Sequence, residues 1–163
     1  MCQAINESDI IMSFVNYGHQ EDYEVTRRFW FDVSEVPLGN SILTCELRIF
    51  KSAQRGSAAY KVGVYQLMDG TTDEDDLLDS VVVTLDQEGW IVLDVSKALL
   101  FWQSFPKHNL GLLLQVNSVD GREALAPHDL GLLGEILDRS TEYRQDGLLG
   151  VKGTFKGLLA GHK

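Results

Sequence analysis

Hydrophobic and polar positions alternate along several short stretches of this chain, which is the pattern of half-buried β-strands. The clearest stretch covers residues 42–50, where Leu43, Cys45, Leu47 and Ile49 alternate with polar residues. Strands are predicted in the same way at 24–34, 60–68, 77–85, 109–116 and 148–155, with a short strand or turn at 130–136. Turn-forming residues separate these runs.

One stretch changes its period from strand to helix. Residues 90–93 form an apolar run that predicts a buried strand, and Val95, Ala98, Leu99 and Trp102 then follow at helical spacing. A central amphipathic helix is therefore predicted at about 95–103. Asp94 stands where its carboxylate accepts hydrogen bonds from the first-turn amides.

A second, shorter helix is predicted near the start of the chain. Ile10, Ile11, Phe14 and Val15 are spaced for one side of a helix over residues 7–16. This apolar side either packs on its own domain or is partly available to a partner.

These elements predict a mainly β fold, an antiparallel, jelly-roll-like β-sandwich with one central helix and a short N-terminal helix. The predicted division is an N-terminal helix and linker at 1–22, a β domain at 23–157 and a tail at 158–163.

Charge and hydropathy exclude several classes of partner. The chain has 163 residues and a net charge of −10, which disfavours nucleic acid and anionic membranes. It has no apolar run of membrane-spanning length, and residues 1–16 lack the features of a secretory signal, so this chain is not expected to carry one.

Motifs for catalysis or metal binding are absent from the sequence. No nucleophile elbow, phosphate loop or zinc-protease motif occurs, and the acidic stretch 69–76 lacks the glycine and glutamate of a calcium loop. The histidines, His19, His108, His128 and His162, are scattered and predicted to be solvated. We therefore predict no enzyme activity, no cofactor and no metal.

Cysteines and tryptophans leave two alternatives open. Cys45 is predicted to be free in the core, although a bridge to Cys2 is possible in an oxidising compartment. Trp90 and Trp102 are predicted to pack in the core, whereas Trp30 shares its face with polar residues. An exposed platform around Trp30 would make the chain a stand-alone carbohydrate-binding module, which is the alternative function.

Many ordered motifs resemble the propeptide of transforming growth factor β family precursors, and the branch they most resemble is the bone morphogenetic proteins of the 60A type. The motifs are DIIMSFVN at 9–16, FWFDVS at 29–34 with VP at 36–37, ELRIFK at 46–51, VYQ at 64–66, LDS at 78–80, EGW at 88–90, LDV at 93–95, HNLGL at 108–112 and DLGLLG at 129–134. After Leu137 the resemblance continues only in TFK at 154–156.

This resemblance implies that residues 23–157 are the β-rich arm domain of a prodomain. Such a prodomain assists folding and dimerisation of its growth factor. It then binds the mature growth-factor dimer of the same precursor non-covalently, maintains latency and engages extracellular matrix proteins. The resemblance also implies that the chain is secreted. Asn6 lies in an Asn-x-Ser sequence and would then be a possible N-glycosylation site.

Partner-binding residues are predicted at Ile10, Ile11 and Phe14 on the short helix and at Trp30 on the sheet. The sequence departs from the family in lacking an Arg-Gly-Asp tripeptide and the paired cysteines expected within 116–123. A covalent link between two arms is therefore not expected. The chain also has no basic processing site near its end and no cysteine-rich growth-factor domain. We interpret it as an excised fragment or a short product.

Overall fold

The computed structural model describes residues 8–15, 26–36, 41–68, 76–132 and 148–155. Strands dominate the described chain, and a single α-helix, α1, lies among them. In chain order the elements are β1 Ser8–Val15, β2 Thr26–Phe29, β3 Ser41–Lys51, β4 Ala59–Gln66, β5 Leu77–Thr84, β6 Gly89–Asp94, α1 Ser96–Ser104, a 3₁₀ helix Pro106–His108, β7 Leu112–Ser118, β8 Ala124–Leu125 and β9 Leu148–Phe155.

Two antiparallel sheets form the fold. Sheet A has the strand order β1-β9-β3-β6, and sheet B has the order β2-β7-β4-β5, with β8 paired to β7. Inward residues of both sheets pack into one core, because alternate positions of each strand point toward the other sheet. The core includes Phe29, Cys45, Leu47, Ile49, Val62, Val64, Leu112, Leu114 and Val116. The predicted mainly β, antiparallel architecture is confirmed.

The predicted strand-to-helix unit is also confirmed. Ile91 and Leu93 of β6 are buried, and α1 buries Ala98, Leu99 and Trp102 against the same core. The Oδ1 atom of Asp94 accepts a hydrogen bond of 2.9 Å from the backbone N–H of Ser96, the first residue of α1. This bond supplies a partner for one of the amides that a helix start leaves unpaired.

The predicted N-terminal helix at 7–16 is wrong. Residues Ser8–Val15 form β1, which pairs with β9 along its whole length, from Ser8 opposite Phe155 to Val15 opposite Leu148. The stretch contains enough apolar and β-branched residues to satisfy helical and strand spacing together. Pairing with a strand near the other end of the chain decides between them.

Two further predictions need correction. The strand predicted at 24–34 is too long: β2 ends at Phe29, after which Phe31 and Val36 enter the core without sheet pairing. Trp90 was predicted to be buried, but 48% of its surface is exposed. Trp90 lies on the outer face of β6, where Val92 is exposed as well, whereas Trp102 is buried as predicted.

A buried lysine joins three segments at the end of β3. Lys51 is 1% exposed, and its Nζ donates to the carbonyl oxygens of Ser52, Leu85 and Gln87 at 3.1, 2.7 and 2.8 Å. Its backbone also forms an isolated bridge with Leu132. The ammonium group therefore holds the β5–β6 turn against sheet A.

The predicted strand or turn at 130–136 is a turn up to Gly131 followed by the bridge at Leu132, and 133–136 lie outside the described residues. The predicted domain boundaries at 22–23 and 157–158 stay predictions. Within the described residues, no helix has the length and apolar character needed to cross a membrane.

Candidate partner-binding surface

The first predicted binding segment, β1, is an edge strand of sheet A. Its register sets Ile10 opposite Gly153, Ile11 opposite Lys152 and Phe14 opposite Leu149. Neighbouring residues of a strand belong to opposite faces of the sheet. Ile10 and Phe14 therefore share one face and Ile11 belongs to the other, so the single apolar side predicted from helical spacing does not form.

Trp30, the second predicted binding element, lies directly after β2. Its side chain is 38% exposed, and its indole N–H donates a 3.0 Å hydrogen bond to the backbone carbonyl of Asn109. The side-chain amide of Asn109 donates in turn to the carbonyl of Phe31 at 2.9 Å. Trp30 is thus fixed at its polar end while part of its ring surface faces solvent.

Gly111 allows the segment before β7 to lie against the end of β2. Its φ is +97°, and a Cβ atom at this position would overlap the carbonyl oxygen of Phe29. Sequence reasoning did not assign Asn109 and Gly111 to the site. The signal was present in the motif HNLGL, which combines an asparagine able to bond a neighbouring backbone with a glycine two residues later.

The strand orders bring β1 and Trp30 to the same side of the molecule. On one side, the Oδ2 atom of Asp79 in β5 accepts a 2.8 Å hydrogen bond from the backbone N–H of Asp94 in β6. β5 and β6 are edge strands of different sheets, so they close that side of the sandwich together. The other two edges, β1 and β2, therefore lie on the opposite side, and the segment that carries Trp30 continues from β2.

A joint aromatic platform does not form from the two exposed tryptophans. Trp90 lies in β6 on the β5–β6 side, and its ring meets that of Phe50 edge-on, with centroids 5.5 Å apart. Trp30 lies on the β1–β2 side. Trp102 contributes nothing to a platform because it is 2% exposed.

Charged residues that are close to Trp30 in sequence are exposed. Asp32 accepts a hydrogen bond from the backbone N–H of Ser34 at 3.1 Å, and the hydrogen bonds from Ser34 lower the pKa of the Asp32 carboxyl group. Arg28 is exposed on β2. The surface around Trp30 thus combines an aromatic ring with charges of both signs.

The cysteine and histidine side chains of the described residues do not form a metal-binding cluster. Cys45 is buried and free, and burial is the largest cause that raises the pKa of its thiol to about 12. His108 and His128 are exposed, and His108 packs against the rings of Phe101 and Phe105. Within the described residues, no group of three or more acidic, histidine or cysteine side chains is arranged to hold a metal ion. Cys2, Asn6, His19 and His162 lie outside the described residues.

Comparison with known proteins gives a match over most of the chain. A family model described as TGF-beta propeptide matches residues 2–145. This interval contains β1, Trp30, Asn109 and Gly111, and it ends before β9.

Three curated relatives have similar levels of identity. Protein DVR-1 homolog of Strongylocentrotus purpuratus is 34% identical over 137 residues, which is 81% of this chain and 30% of that protein. Protein 60A of Drosophila melanogaster is 34% identical over 148 residues, 83% of this chain and 32% of that protein. Bone morphogenetic protein 8A of Homo sapiens is 34% identical over 152 residues, 86% of this chain and 37% of that protein. The chain thus spans about a third of the length of these relatives.

Proposed function

Because the chain belongs to the TGF-beta propeptide family, we propose that it is the arm of a growth-factor prodomain and binds the mature growth-factor dimer of its precursor non-covalently. The observation that carries this proposal is the family match over residues 2–145. Precursors of this family are secreted, and their propeptides associate with the mature growth factor. Secretion and growth-factor binding by this chain are part of the proposal.

The proposed binding surface is the β1–β2 side of the sandwich. β1 is an edge strand, and an edge offers backbone groups to which a partner strand can add. Trp30 adds a partly exposed aromatic ring, a residue type enriched among the energetically dominant positions of interfaces. In this proposal Ile10, Ile11, Phe14 and Trp30 contact the growth factor, with Ile10 and Phe14 on one face of the strand and Ile11 on the other.

Further roles follow from this proposal. A bound arm would assist folding and dimerisation of the growth factor and would maintain its latency, and the complex would engage extracellular matrix proteins. Asn6 would be glycosylated after export, because it lies in an Asn-x-Ser sequence. The chain would carry out these roles by binding, without catalysis.

The test is direct binding between the purified chain and the mature dimer of human bone morphogenetic protein 8A, followed by surface plasmon resonance. We expect association with a Kd of about 1 micromolar or lower. Trp30→Ala should weaken binding by roughly tenfold or more, because it removes a large apolar contact. Trp90→Ala is the matched control, since it removes an exposed tryptophan from the opposite side of the sandwich and should leave the affinity unchanged.

Aspartate substitutions at Ile10, Ile11 and Phe14 test the strand. Variants that keep the circular dichroism spectrum and melting temperature of the parent should still lose affinity. Absence of binding by the parent chain at about 10 micromolar growth factor would refute the proposal. Equal losses from Trp30→Ala and Trp90→Ala would leave growth-factor binding in place and refute the proposed surface.

A further inference from the structure

The backbone of β6 presents hydrogen-bonding groups on its outer edge that are not paired by another strand of the described chain. In an antiparallel strand, alternate residues direct their N–H and C=O groups to opposite sides. The N–H of Val95 donates to Cys45 in β3, whereas the N–H of Asp94 points away from β3 and reaches Asp79. Trp90 and Val92 have the same parity as Asp94, so their backbone groups point to the free edge as well.

Among the described residues, β5 covers one end of this edge and none covers its middle. Asp79 supplies the acceptor for the Asp94 amide at 2.8 Å, and β5 approaches β6 there. Within the described part of the chain, no residue supplies a hydrogen-bond acceptor for the amides of Trp90 and Val92. We call the backbone of these two residues the open edge.

The side chains beside the open edge are apolar and exposed. Trp90 is 48% exposed and Val92 is 43% exposed, and both belong to the outer face of sheet A. Phe50, opposite Trp90 on β3, packs edge-on against its ring. Aromatic and β-branched residues at alternate positions are good cross-strand neighbours for an added strand.

Acidic residues stand at both ends of the open edge. The exposed Glu88 lies at one end, and Asp94 lies at the other end with Asp79 of β5 hydrogen-bonded to its amide. A second copy of the chain, paired antiparallel so that Trp90 meets Val92, would set Glu88 opposite Asp94 at both ends. Like charges directly opposite each other destabilise a strand pair, so the charges disfavour a second copy and favour a segment with basic ends.

We propose that an extended segment of a partner protein, with apolar residues at alternating positions and lysine or arginine at its ends, binds the open edge as an added strand of sheet A. Backbone hydrogen bonds to Trp90 and Val92 supply affinity, and the flanking charges supply selection. β1 and β6 are opposite edges of sheet A, so this surface is separate from the one proposed for the growth factor. Failure of the growth-factor proposal would therefore leave this one in place, and the reverse also holds.

The test uses the complete 163-residue chain and a synthetic peptide with lysine at both ends, valine at two alternating central positions and threonine between them. Binding is followed by NMR through the backbone amides of the protein. We expect shifts centred on Trp90 and Val92, slower hydrogen exchange at both amides, and a Kd of about 1 mM or lower. A peptide with glutamate in place of both lysines should bind about tenfold more weakly.

A proline substitution isolates the backbone contribution. Val92→Pro removes an N–H that points away from β3, a position where an edge strand tolerates proline. It should weaken peptide binding about tenfold or more. Val82→Pro is the matched control, because Val82 is an exposed valine of the edge strand β5 and its amide also points outward. It should leave binding unchanged.

A charge reversal at Glu88 tests whether the acidic residues beside the open edge favour a segment with basic ends, and it leaves the backbone of the open edge unchanged. Glu88→Lys should reduce the affinity for the lysine peptide severalfold and raise the affinity for the glutamate peptide. Glu123→Lys, an exposed glutamate next to β8, should change neither affinity. Three results would overturn the proposal: no shift at Trp90 and Val92 at roughly ten times the expected Kd, equal binding of both peptides, or self-association of the chain in sedimentation equilibrium that Val92→Pro abolishes.

Discussion

The indole N–H of Trp30 and the backbone carbonyl of Asn109 are joined by a 3.0 Å hydrogen bond across 79 residues of sequence. Asn109 completes a clamp by donating its side-chain amide to the carbonyl of Phe31. Two segments without regular pairing, one after β2 and one before β7, are therefore held together at the surface proposed for growth-factor binding. The clamp fixes the tryptophan before any partner arrives, which reduces the entropy lost on binding.

Replacing Asn109 with alanine should loosen this clamp. Asn109→Ala removes the 2.9 Å hydrogen bond to Phe31, and we expect the free energy of unfolding to fall by about 1 kcal/mol. The indole N–H signal of Trp30 should shift in NMR spectra. Asn117→Ala, on β7, should change stability by less than about 0.5 kcal/mol and leave the Trp30 signal in place. A Trp30 signal that both variants leave unchanged would contradict the clamp.

Substitution of Gly111 should be more costly than substitution of another glycine with positive φ. Gly111→Ala adds a Cβ that overlaps the Phe29 carbonyl oxygen at a φ of +97°, and we expect a loss of about 2–4 kcal/mol in urea unfolding. Gly121→Ala is the control, because Gly121 has a φ of +74° and open space around it. It should cost about 1 kcal/mol. Equal losses would show that backbone strain, without overlap, determines the cost.

Local alternation predicted those parts of the fold in which one face of a strand is buried. At 42–50 the residues Cys45, Leu47 and Ile49 all enter the core, because one buried face fixes the period. The same alternation continues to Lys51, whose burial could have been predicted from its inward parity. A buried lysine needs hydrogen-bond acceptors. The sequence does not show that the carbonyls of Leu85 and Gln87 lie close enough to Lys51 to accept from it.

For other elements, the local sequence pattern did not determine the structure, and contacts between distant segments did. β1 has helical spacing, and its strand partner β9 lies near the other end of the chain. Trp90 belongs to a continuous apolar run that is typical of a strand buried on both faces, yet only Ile91 and Leu93 of that run are buried, and Trp90 lies on the exposed outer face. Trp30 was predicted to contact a partner, whereas its position on the same side of the sandwich as β1 follows from the order of strands in two sheets. That order depends on contacts between distant segments.

Removing the ammonium group of Lys51 should destabilise the fold. Lys51→Met keeps most of the buried aliphatic chain but leaves the carbonyls of Ser52, Leu85 and Gln87 without their shared donor. We expect a loss of about 2–4 kcal/mol in urea unfolding, because hydrogen bonds to a charged group are stronger than neutral ones. Lys61→Met, at an exposed position of β4, should change stability by less than about 0.5 kcal/mol. Similar losses from both variants would show that the buried hydrogen bonds contribute little.

Cys45 should make the stability of the protein fall at alkaline pH. Burial is the main cause that raises the pKa of its thiol from 9.0 to about 12, and the nearby charges of Asp94 and Glu46 act in the same direction. Between these two values the native state keeps a proton that the unfolded state has lost, so the free energy of unfolding decreases as pH rises from 9.0 toward 12. The contribution of this thiol is fully present below pH 9.0.

The measurement uses Cys2→Ser as the parent, so that Cys45 is the sole cysteine, and Cys2→Ser with Cys45→Ala as the control. Lysines and tyrosines titrate in the same range in both proteins, so the difference between their urea-unfolding profiles isolates the thiol. The parent should lose stability more steeply than the control above pH 9.0. Below that pH its thiol should react with a disulfide reagent only as fast as the protein unfolds, because the thiolate is the reactive form and burial suppresses it. Parallel profiles for the two proteins, or rapid labelling of the native parent, would contradict a buried thiol with a raised pKa.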